Sequence, residues 1–341
     1  MTNHRSTRIA SILLILLSWG AFAPLQAKTT LRLGTIVPKG SAWHDTLLYL
    51  RQEWRRISGG EVDLRIYAGG VLGDETEMVR QVRAGRIQAV ALSTNGLSRI
   101  DRGVVALQIP LMFDSYEELD YVRDRIAPKL EQRIESRGIR HKVLFWTDGG
   151  WARFFSKKPV KTLDDIRKLR VFTSAGDAET ERIWKSFRFN VVPLAATDMM
   201  TSLQTGLIDA FDVPPLFTLF DQSFTQAPNM LDLKIAPLIG GVVVSKKAWD
   251  TVPEQYRDEM LKAGREAGAK LRGEIRKLGP DSIEQMKQRG LNVIVPDKAT
   301  RDAWQSEVEA TYPKLRGSYC PADLFDEVKR LRDEYRKSKG Q

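Results

Sequence analysis

Cysteine and histidine are scarce in this chain of 341 residues, and their scarcity excludes several kinds of chemistry. Cys320 is the one cysteine, so the chain cannot form an internal disulfide. A thiol nucleophile requires a nearby histidine, but beyond the N-terminal segment only His44 and His141 are present, both far from Cys320 in sequence. The same scarcity argues against a serine–histidine triad and a histidine-based metal site. We therefore expect a protein that is not an enzyme and that uses neither a metal nor a cofactor.

Long apolar segments are also missing, except at the N-terminus. Residues 9–23 (IASILLILLSWGAFA) form an apolar run that follows Arg5 and Arg8 and is too short to span a bilayer comfortably. Ala27 supplies a small residue at a cleavage point. Residues 1–27 are therefore predicted to be a cleaved signal peptide that directs the protein to the periplasm, with an uncleaved membrane anchor as the alternative.

Basic residues outnumber acidic ones, and the formal net charge is +10 at pH 7. They are spread along the chain and interleaved with acids, as in RQEWRR at residues 51–56, rather than gathered into one patch. This balance favours solubility and the attraction of small anions, and we expect no nucleic-acid partner.

Strand and helix patterns alternate from residue 31 onwards. Apolar runs at 31–37, 62–67 and 87–93 read as strands, and residues 43–57 read as a helix between the first two. This order predicts parallel sheets with crossover helices, and hence an α/β fold.

The pattern of residues 78–90 (MVRQVRAGRIQAV) returns 121 positions later as residues 199–211 (MMTSLQTGLIDAF). Both segments read as a helix, a glycine cap and a buried strand. One such unit in each half predicts two similarly built lobes, although chance similarity of two such units is the alternative. Because ligands bind at the carboxyl ends of such strands, residues 93–95 and 211–213 are expected to face one cleft.

A long helix dominates the C-terminal third. Residues 253–278 form a charged amphipathic pattern that Gly279 and Pro280 should break or kink before it resumes to Arg289. A continuous helix lying across both lobes would act as a spine, whereas an ordinary surface helix hairpin is the alternative.

Two arginines lie in an apolar part of the chain. Arg153 is in GGWARFF, and Arg170 is in KLRVF, a run that reads as a buried strand. A guanidinium in such a strand needs an anionic partner, and a ligand carboxylate matches its planar fork of donors. The alternative partner of Arg170 is an acidic side chain such as Asp177 or Asp198.

The order of motifs resembles the periplasmic substrate-binding proteins of tripartite ATP-independent periplasmic (TRAP) transporters, of the dicarboxylate-receptor type. The matching phrases include GTIVPKGSAWH, YAGGVLGDETEMVRQVRAGRIQAVALS, FSKKPVKTLDDIRKLRV and PLAATDMMTSLQTGLIDA. Together with QIPLMFDSYEEL and VSKKAWDTVPEQYRD, they run in order over nearly the whole chain after residue 30.

The resemblance implies a two-lobed periplasmic binding protein fold with crossover strands and a long C-terminal spine helix. Lobe I would comprise residues 28–150 and 239–278, and lobe II residues 151–238 and 279–341. The lobes would close on an organic acid, with the two arginines of the family falling on Arg170 and Arg153.

The expected pocket is more apolar than is usual in this family. Val213 stands where an asparagine is common, and Phe211 where a polar residue is frequent. The predicted substrate-binding residues are Arg170, Arg153, Trp151, Phe172, Phe211, Val213, Ser93, Asn95 and Trp43. These departures favour an acid with an apolar body.

The resemblance implies delivery of the ligand to the membrane subunits of a TRAP permease. A helical-repeat protein is a further candidate partner, since receptors of this family with apolar pockets are sometimes associated with one. The alternatives are a periplasmic sensor that presents its closed form to a signalling receptor, and an exported enzyme that acts on organic acids.

Overall fold

Two β-sheets, each flanked by helices, organise the chain. The computed structural model describes residues 28–136, 138 and 140–340; the predicted signal peptide lies outside this range. The strands are β1 (Thr29–Thr35), β2 (Val62–Tyr67), β3 (Ala89–Ser93), β4 (His141–Trp151), β5 (Arg153–Ser156), β6 (Arg170–Ser174), β7 (Asn190–Leu194), β8 (Ala210–Val213), β9 (Asn229–Leu231), β10 (Pro237–Ser245) and β11 (Asn292–Ile294).

The helices follow the alternating pattern expected from the sequence. They are α1 (Ala42–Ile57), α2 (Glu75–Arg83), α3 (Thr94–Leu97), α4 (Tyr116–Ser136), α5 (Leu163–Arg167), α6 (Ala178–Ser186), α7 (Met199–Gln204), α8 (Pro215–Asp221), α9 (Lys246–Trp249), α10 (Glu254–Lys287), α11 (Lys298–Glu309), α12 (Tyr312–Leu315) and α13 (Ala322–Ser338). Short 3₁₀ segments occur at Arg102–Gln108, Ala196–Asp198 and Ser223–Thr225.

The two sheets define two lobes. The sheet of lobe I has the order β2-β1-β3-β10-β4, in which β1 runs parallel to β2 and β3 while β10 is antiparallel to both of its neighbours. The sheet of lobe II has the order β11-β9-β5-β8-β6-β7, with β6 parallel to β7 and β8. The predicted two-lobed α/β fold with crossover strands is confirmed.

Two strand connections cross between the lobes side by side. The first is the step from β4 to β5 at Ala152, and the second is the return from β9 to β10. The N–H of Ala152 donates to the carbonyl of Ala236 at 2.8 Å, and the N–H of Ile235 donates to the carbonyl of Ala152 at 3.1 Å. The paired crossing strands form a narrow backbone connection about which the lobes can rotate.

Helix α10 runs without interruption from lobe I to lobe II. Met260 near its start is buried among lobe I side chains, and Met286 near its end is buried among lobe II side chains. Of the break or kink expected at Gly279 and Pro280, the break is wrong, because the helix continues through both residues. The packing of both ends stabilises the helix beyond what local propensity allows, and α10 is a spine rather than a surface hairpin.

The final helix belongs to lobe I. β11 pairs with β9, and Trp304 of α11 packs on Phe154 with ring centroids 6.0 Å apart, so these elements extend lobe II. In contrast, the apolar face of α13, including Leu324 and Val328, is buried in the lobe I cluster that contains α4. The assignment of all of residues 279–341 to lobe II is therefore wrong for α13, whose apolar stripe finds its complementary surface on α4.

The repeated unit recognised in the sequence is present in both lobes. α2 and β3 in lobe I correspond position for position to α7 and β8 in lobe II, with β3 beginning at Ala89 and β8 at Ala210. Gly85 and Gly206 end the two helices with φ of 71° and 75°, a left-handed conformation that favours glycine. Among the described residues, no helix is long and apolar enough to cross a membrane.

Candidate functional site

A cavity of about 390 Å³ lies between the lobes, where the carboxyl ends of β3, β6 and β8 converge. This is the edge at which open α/β sheets bind ligands. A more open groove of about 580 Å³ beside α4 is lined entirely by residues of lobe I, so it does not bridge the lobes. The inter-lobe cavity is the candidate binding site.

Apolar side chains form most of the cavity wall. The apolar lining residues are Ile36, Pro38, Ala152, Phe154, Val171, Phe172, Ala175, Trp184, Phe189, Val191, Leu194, Ala196, Met199, Met200, Val213, Pro214, Phe217, Ile235 and Leu238. Most of them belong to lobe II, which therefore offers a broad aromatic and aliphatic surface. Such a wall suits a ligand with an apolar body, since burial of apolar surface stabilises the complex.

The carboxylate of Glu75, in lobe I, binds backbone N–H groups at the carboxyl end of β3. It accepts hydrogen bonds from the N–H of Ser93 at 2.6 Å, the hydroxyl of Ser93 at 2.7 Å and the N–H of Gly96 at 2.9 Å. Burial raises the pKa of Glu75, and these donors oppose the rise. The donors at this strand end are thus already used by an internal carboxylate.

Asp212 is an acidic residue of lobe II at the cavity. It lines the cavity at the carboxyl end of β8, and it is partly buried. Burial raises the pKa of Asp212 to about 7, opposed only by a hydrogen bond from its own backbone N–H. Asp221, the other acid on this side, accepts a hydrogen bond from the N–H of Ser223 at 2.9 Å.

Arg99 and Arg102 connect lobe I to the segment that precedes α6 in lobe II. The guanidinium of Arg99 donates to the carbonyls of Gly176 and Ala175, the latter at 3.3 Å. Arg102 donates to both carboxylate oxygens of Asp177, at 3.0 and 3.1 Å. These contacts hold the lobes together over one side of the cavity, and we call them the inter-lobe latch.

Four of the predicted substrate-binding residues line the cavity. Ser93 and Asn95 lie at the lobe I edge, and Phe172 and Val213 lie on the lobe II wall. The two β–α units recognised as a repeat thus bring their strand ends to the same cavity.

Arg170 lies outside the cavity. It is the first residue of β6, at the opposite end of the strand from the cavity, and its side chain is 46% exposed. Its Nε and Nη2 donate to the two carboxylate oxygens of Asp209, each at 2.8 Å. The prediction of a buried carboxylate-binding arginine does not fit this geometry; the partner is an acid of the protein, and it is neither Asp177 nor Asp198.

Arg153 is also paired within the protein. It is buried, and its Nε donates to Asp232 at 2.9 Å. Side chains alternate along β5, so Arg153 points away from the face on which Phe154 contributes to the cavity wall. The structure therefore brings neither predicted arginine to the ligand cavity.

Three predicted aromatic contacts lie behind the cavity wall. Phe211 is fully buried and stacks on Phe155 with centroids 5.3 Å apart. Trp151 packs on Tyr116 at the crossing strands. Trp43 donates its indole N–H to the carbonyl of Asp148 at 3.1 Å and lines a separate cavity of about 60 Å³. These residues support the site from the core.

The residues missed by sequence reasoning are the charged groups of the cavity. Asp212 lies within residues 211–213, which the sequence places at the cleft, but it is not among the predicted substrate-binding residues. Its signal is an isolated acid at a strand end within an apolar run, where burial is expected to perturb ionisation. Arg99 carried no such signal, because its loop position looks like an ordinary solvated surface.

The chain thus has two α/β lobes joined by crossing strands, with a largely apolar cavity between their strand ends. The chain belongs to the DctP family of bacterial extracellular solute-binding proteins, family 7, whose profile matches residues 33–317. This family comprises the solute-binding proteins of TRAP transporters, so the resemblance noted in the sequence is confirmed.

Similar proteins match most of the chain at low sequence identity. The 2,3-diketo-L-gulonate-binding periplasmic protein YiaO of Escherichia coli is 24% identical over 295 residues, which cover 84% of this chain and 88% of that protein. The C4-dicarboxylate-binding periplasmic protein DctP of Rhodobacter capsulatus is 25% identical over 269 residues, 76% of this chain and 78% of that protein.

Solved structures match over almost their full length. The sugar acid binding protein from Advenella mimigardefordensis in complex with galactonate superposes with a TM-score of 0.83 at 17% identity, covering 90% of this chain and 99% of that chain. A TRAP periplasmic solute-binding protein from Pseudomonas putida F1 with bound D-glucuronate gives a TM-score of 0.79 at 23% identity, covering 89% and 96%. At these identities the likeness shows the fold.

Proposed function

We propose that this protein is a periplasmic receptor that binds a small organic acid with an apolar body and delivers it to the membrane subunits of a TRAP permease. The observation that carries the proposal is the inter-lobe cavity of about 390 Å³ with its predominantly apolar wall. Relatives with the same fold have bound acids, among them D-glucuronate and galactonate. The protein reaches the periplasm by way of a cleaved signal peptide at residues 1–27.

Ligand capture proceeds by closure of the lobes about the crossing strands. The ligand enters between the strand ends, and the latch formed by Arg99 and Arg102 then links lobe I to residues 175–177 of lobe II. A ligand that contacts both lobes stabilises the closed form, because it binds that form more tightly than the open one. The permease would recognise the closed form; a helical-repeat protein is a second candidate recipient.

The role is that of a carrier and not of an enzyme. Among the described lining residues there is no histidine or cysteine, and the one hydroxyl–carboxylate pair, Ser93 with Glu75, serves the end of β3, where Glu75 also accepts from the N–H groups of Ser93 and Gly96. Turnover of a bound acid by the purified protein would contradict this part of the proposal.

The test is a thermal-stability screen of small carboxylic acids, each measured beside its uncharged amide. A ligand that binds the folded state alone raises the melting temperature with its concentration. We expect acids with an apolar body to stabilise the protein and their amides to do so weakly. Val213→Trp should fill the cavity and abolish the effect, whereas Val71→Trp, at a position that is 63% exposed, should preserve it.

A further inference from the structure

Some of the described charged groups that line the cavity have hydrogen-bond partners in the protein, and others do not. The acidic lining residues are Asp74, Glu75, Asp177, Asp212 and Asp221, and Arg99 is the one cationic residue among the described lining residues. An apolar cavity with this lining is an unusual receptor for a ligand that carries negative charge alone, since buried like charges repel each other.

Four of the five acids are satisfied by the protein. Asp74 accepts from the N–H of Glu77 at 2.8 Å as the cap of α2, and Asp177 accepts from Arg102 and Thr180. Glu75 and Asp221 accept from the backbone and hydroxyl donors described above. These carboxyl groups are parts of the scaffold.

Asp212 differs from them. Among the described residues, no other residue donates a hydrogen bond to its carboxyl group, and no cation is close enough to contribute to its pKa. It sits at the carboxyl end of β8 beside Phe154, its register partner on β5, and both side chains line the cavity. The partly buried carboxyl group of Asp212 is therefore free to accept a hydrogen bond from a ligand, and such a bond grows in value as the ligand excludes water.

Arg99, on the opposite lobe, has N–H donors that the described part of the protein does not use. It lines the cavity, and its two Nη atoms donate to the carbonyls of Gly176 and Ala175 in lobe II. A guanidinium has five N–H donors, so Arg99 retains donors for an acceptor in the cavity. Arg99 and Asp212 thus stand on different lobes as an available donor and an available acceptor.

We propose that the ligand is an organic acid that also carries a protonated amine, with an apolar spacer between the two charges. Asp212 of lobe II accepts the ammonium N–H, Arg99 of lobe I holds the carboxylate, and the apolar wall surrounds the spacer. This inference rests on the proposed receptor function and refines its substrate class. A ligand charged at both ends would bind both lobes at once, and it would thereby stabilise the closed form of the protein.

If Asp212 binds the ammonium group of the ligand, the change of affinity with pH has a predictable direction. The ammonium requires the ionised carboxylate of Asp212, so affinity should increase as pH rises through about 7. A ligand with a carboxylate alone would instead favour protonated Asp212 and lose affinity over the same range. The other titratable groups around the cavity are Asp74, Glu75, Arg99, Asp177, Asp221 and Tyr319, and the pKa of Tyr319 is raised mainly by burial and further by Asp212.

The test uses three probes of matched length: 6-aminohexanoate, hexanoate and hexylamine, measured by calorimetry with the mature protein at pH 6 and pH 8. We expect 6-aminohexanoate to bind at least about tenfold more tightly than either of the others at pH 8, since a buried charged pair is worth that or more. Asp212→Asn should remove most of this preference. Asp209→Asn, three residues earlier and outside the cavity, should retain it.

Each outcome separates the refined substrate class from the receptor function. Equal or tighter binding of hexanoate, or an unchanged preference in Asp212→Asn, overturns the assignment of the amine while the receptor for organic acids stands. Failure of all three probes at millimolar concentration also overturns the assignment. The receptor function itself fails only if the broader screen of acids yields no ligand.

Discussion

Phe154 and Asp212 are register partners in the antiparallel pair of β5 and β8, and both side chains line the cavity between the lobes. Register partners project from the same face of a sheet, so an aromatic ring flanks the carboxyl group. This register places a titratable group in a largely apolar wall, at the strand edge where ligands of this architecture bind.

The free energy of unfolding of the ligand-free protein should depend on pH because Asp212 is partly buried. In an unfolded chain an aspartate loses its proton near pH 4, whereas burial raises the pKa of folded Asp212 to about 7. Between these values the folded state binds the additional proton, so this group's contribution to stability falls as pH rises from about 4 to about 7. Asp212→Asn should remove this fall, which is at most about 4 kcal/mol.

Chemical denaturation of the wild type and of Asp212→Asn across this pH range measures the effect. The variant should gain stability relative to the wild type as pH rises. A constant difference between the two proteins would show that Asp212 is solvated and ionises normally.

Replacement of Arg170 should leave ligand affinity unchanged, whereas replacement of Phe172 should weaken it. Arg170 is bound to Asp209 outside the cavity, so Arg170→Ala should leave ligand affinity unchanged. Phe172 lines the cavity, and Phe172→Leu should weaken binding about fivefold because part of an apolar contact is lost. Titration of both variants with an identified acid measures the two affinities. A large loss of affinity in Arg170→Ala alone would show that Arg170 contributes to ligand binding.

A small carboxylate added to the solution should be able to replace the side-chain carboxylate of Glu75. Glu75→Ala leaves the N–H groups of Ser93 and Gly96 without their acceptor and should destabilise the protein by about 1–3 kcal/mol. Added acetate should recover part of this loss in the variant and have little effect on the wild type. Equal effects of acetate on the two melting temperatures would exclude an anion-binding pocket at this strand end.

The inter-lobe latch should control ligand release. Arg102→Ala removes the pair with Asp177 between the lobes and should increase the dissociation rate about tenfold, with a smaller effect on association. Arg316→Ala is the matched control, since Arg316 pairs with Asp326 on the exposed surface of lobe I. Stopped-flow fluorescence distinguishes them, and identical dissociation rates would mean that the latch does not hold the closed form.

Local patterns in the sequence predicted most of the fold. The strand Val62–Tyr67 has its expected limits, and the repeat of α2–β3 in α7–β8 follows from apolar spacing and a terminating glycine. The continuity of α10 through Pro280 was not predictable, because packing at both ends outweighs the local cost of proline. The placement of α13 on lobe I likewise depends on a surface formed by a distant segment.

The site was harder to predict because partners lie far apart in sequence. Arg170 pairs with Asp209 and Arg153 with Asp232, and no local pattern reveals either pair. Strand ends, by contrast, follow from topology, which is why Ser93 and Val213 were expected at one cleft.

The most direct test of the receptor function is to purify the mature protein natively, denature it and identify the released small molecules by mass spectrometry. We expect an organic acid with an apolar body that restores thermal stability to the stripped wild-type protein and not to Val213→Trp. A released compound without a carboxylate that stabilises both proteins equally would contradict binding of an organic acid in the inter-lobe cavity.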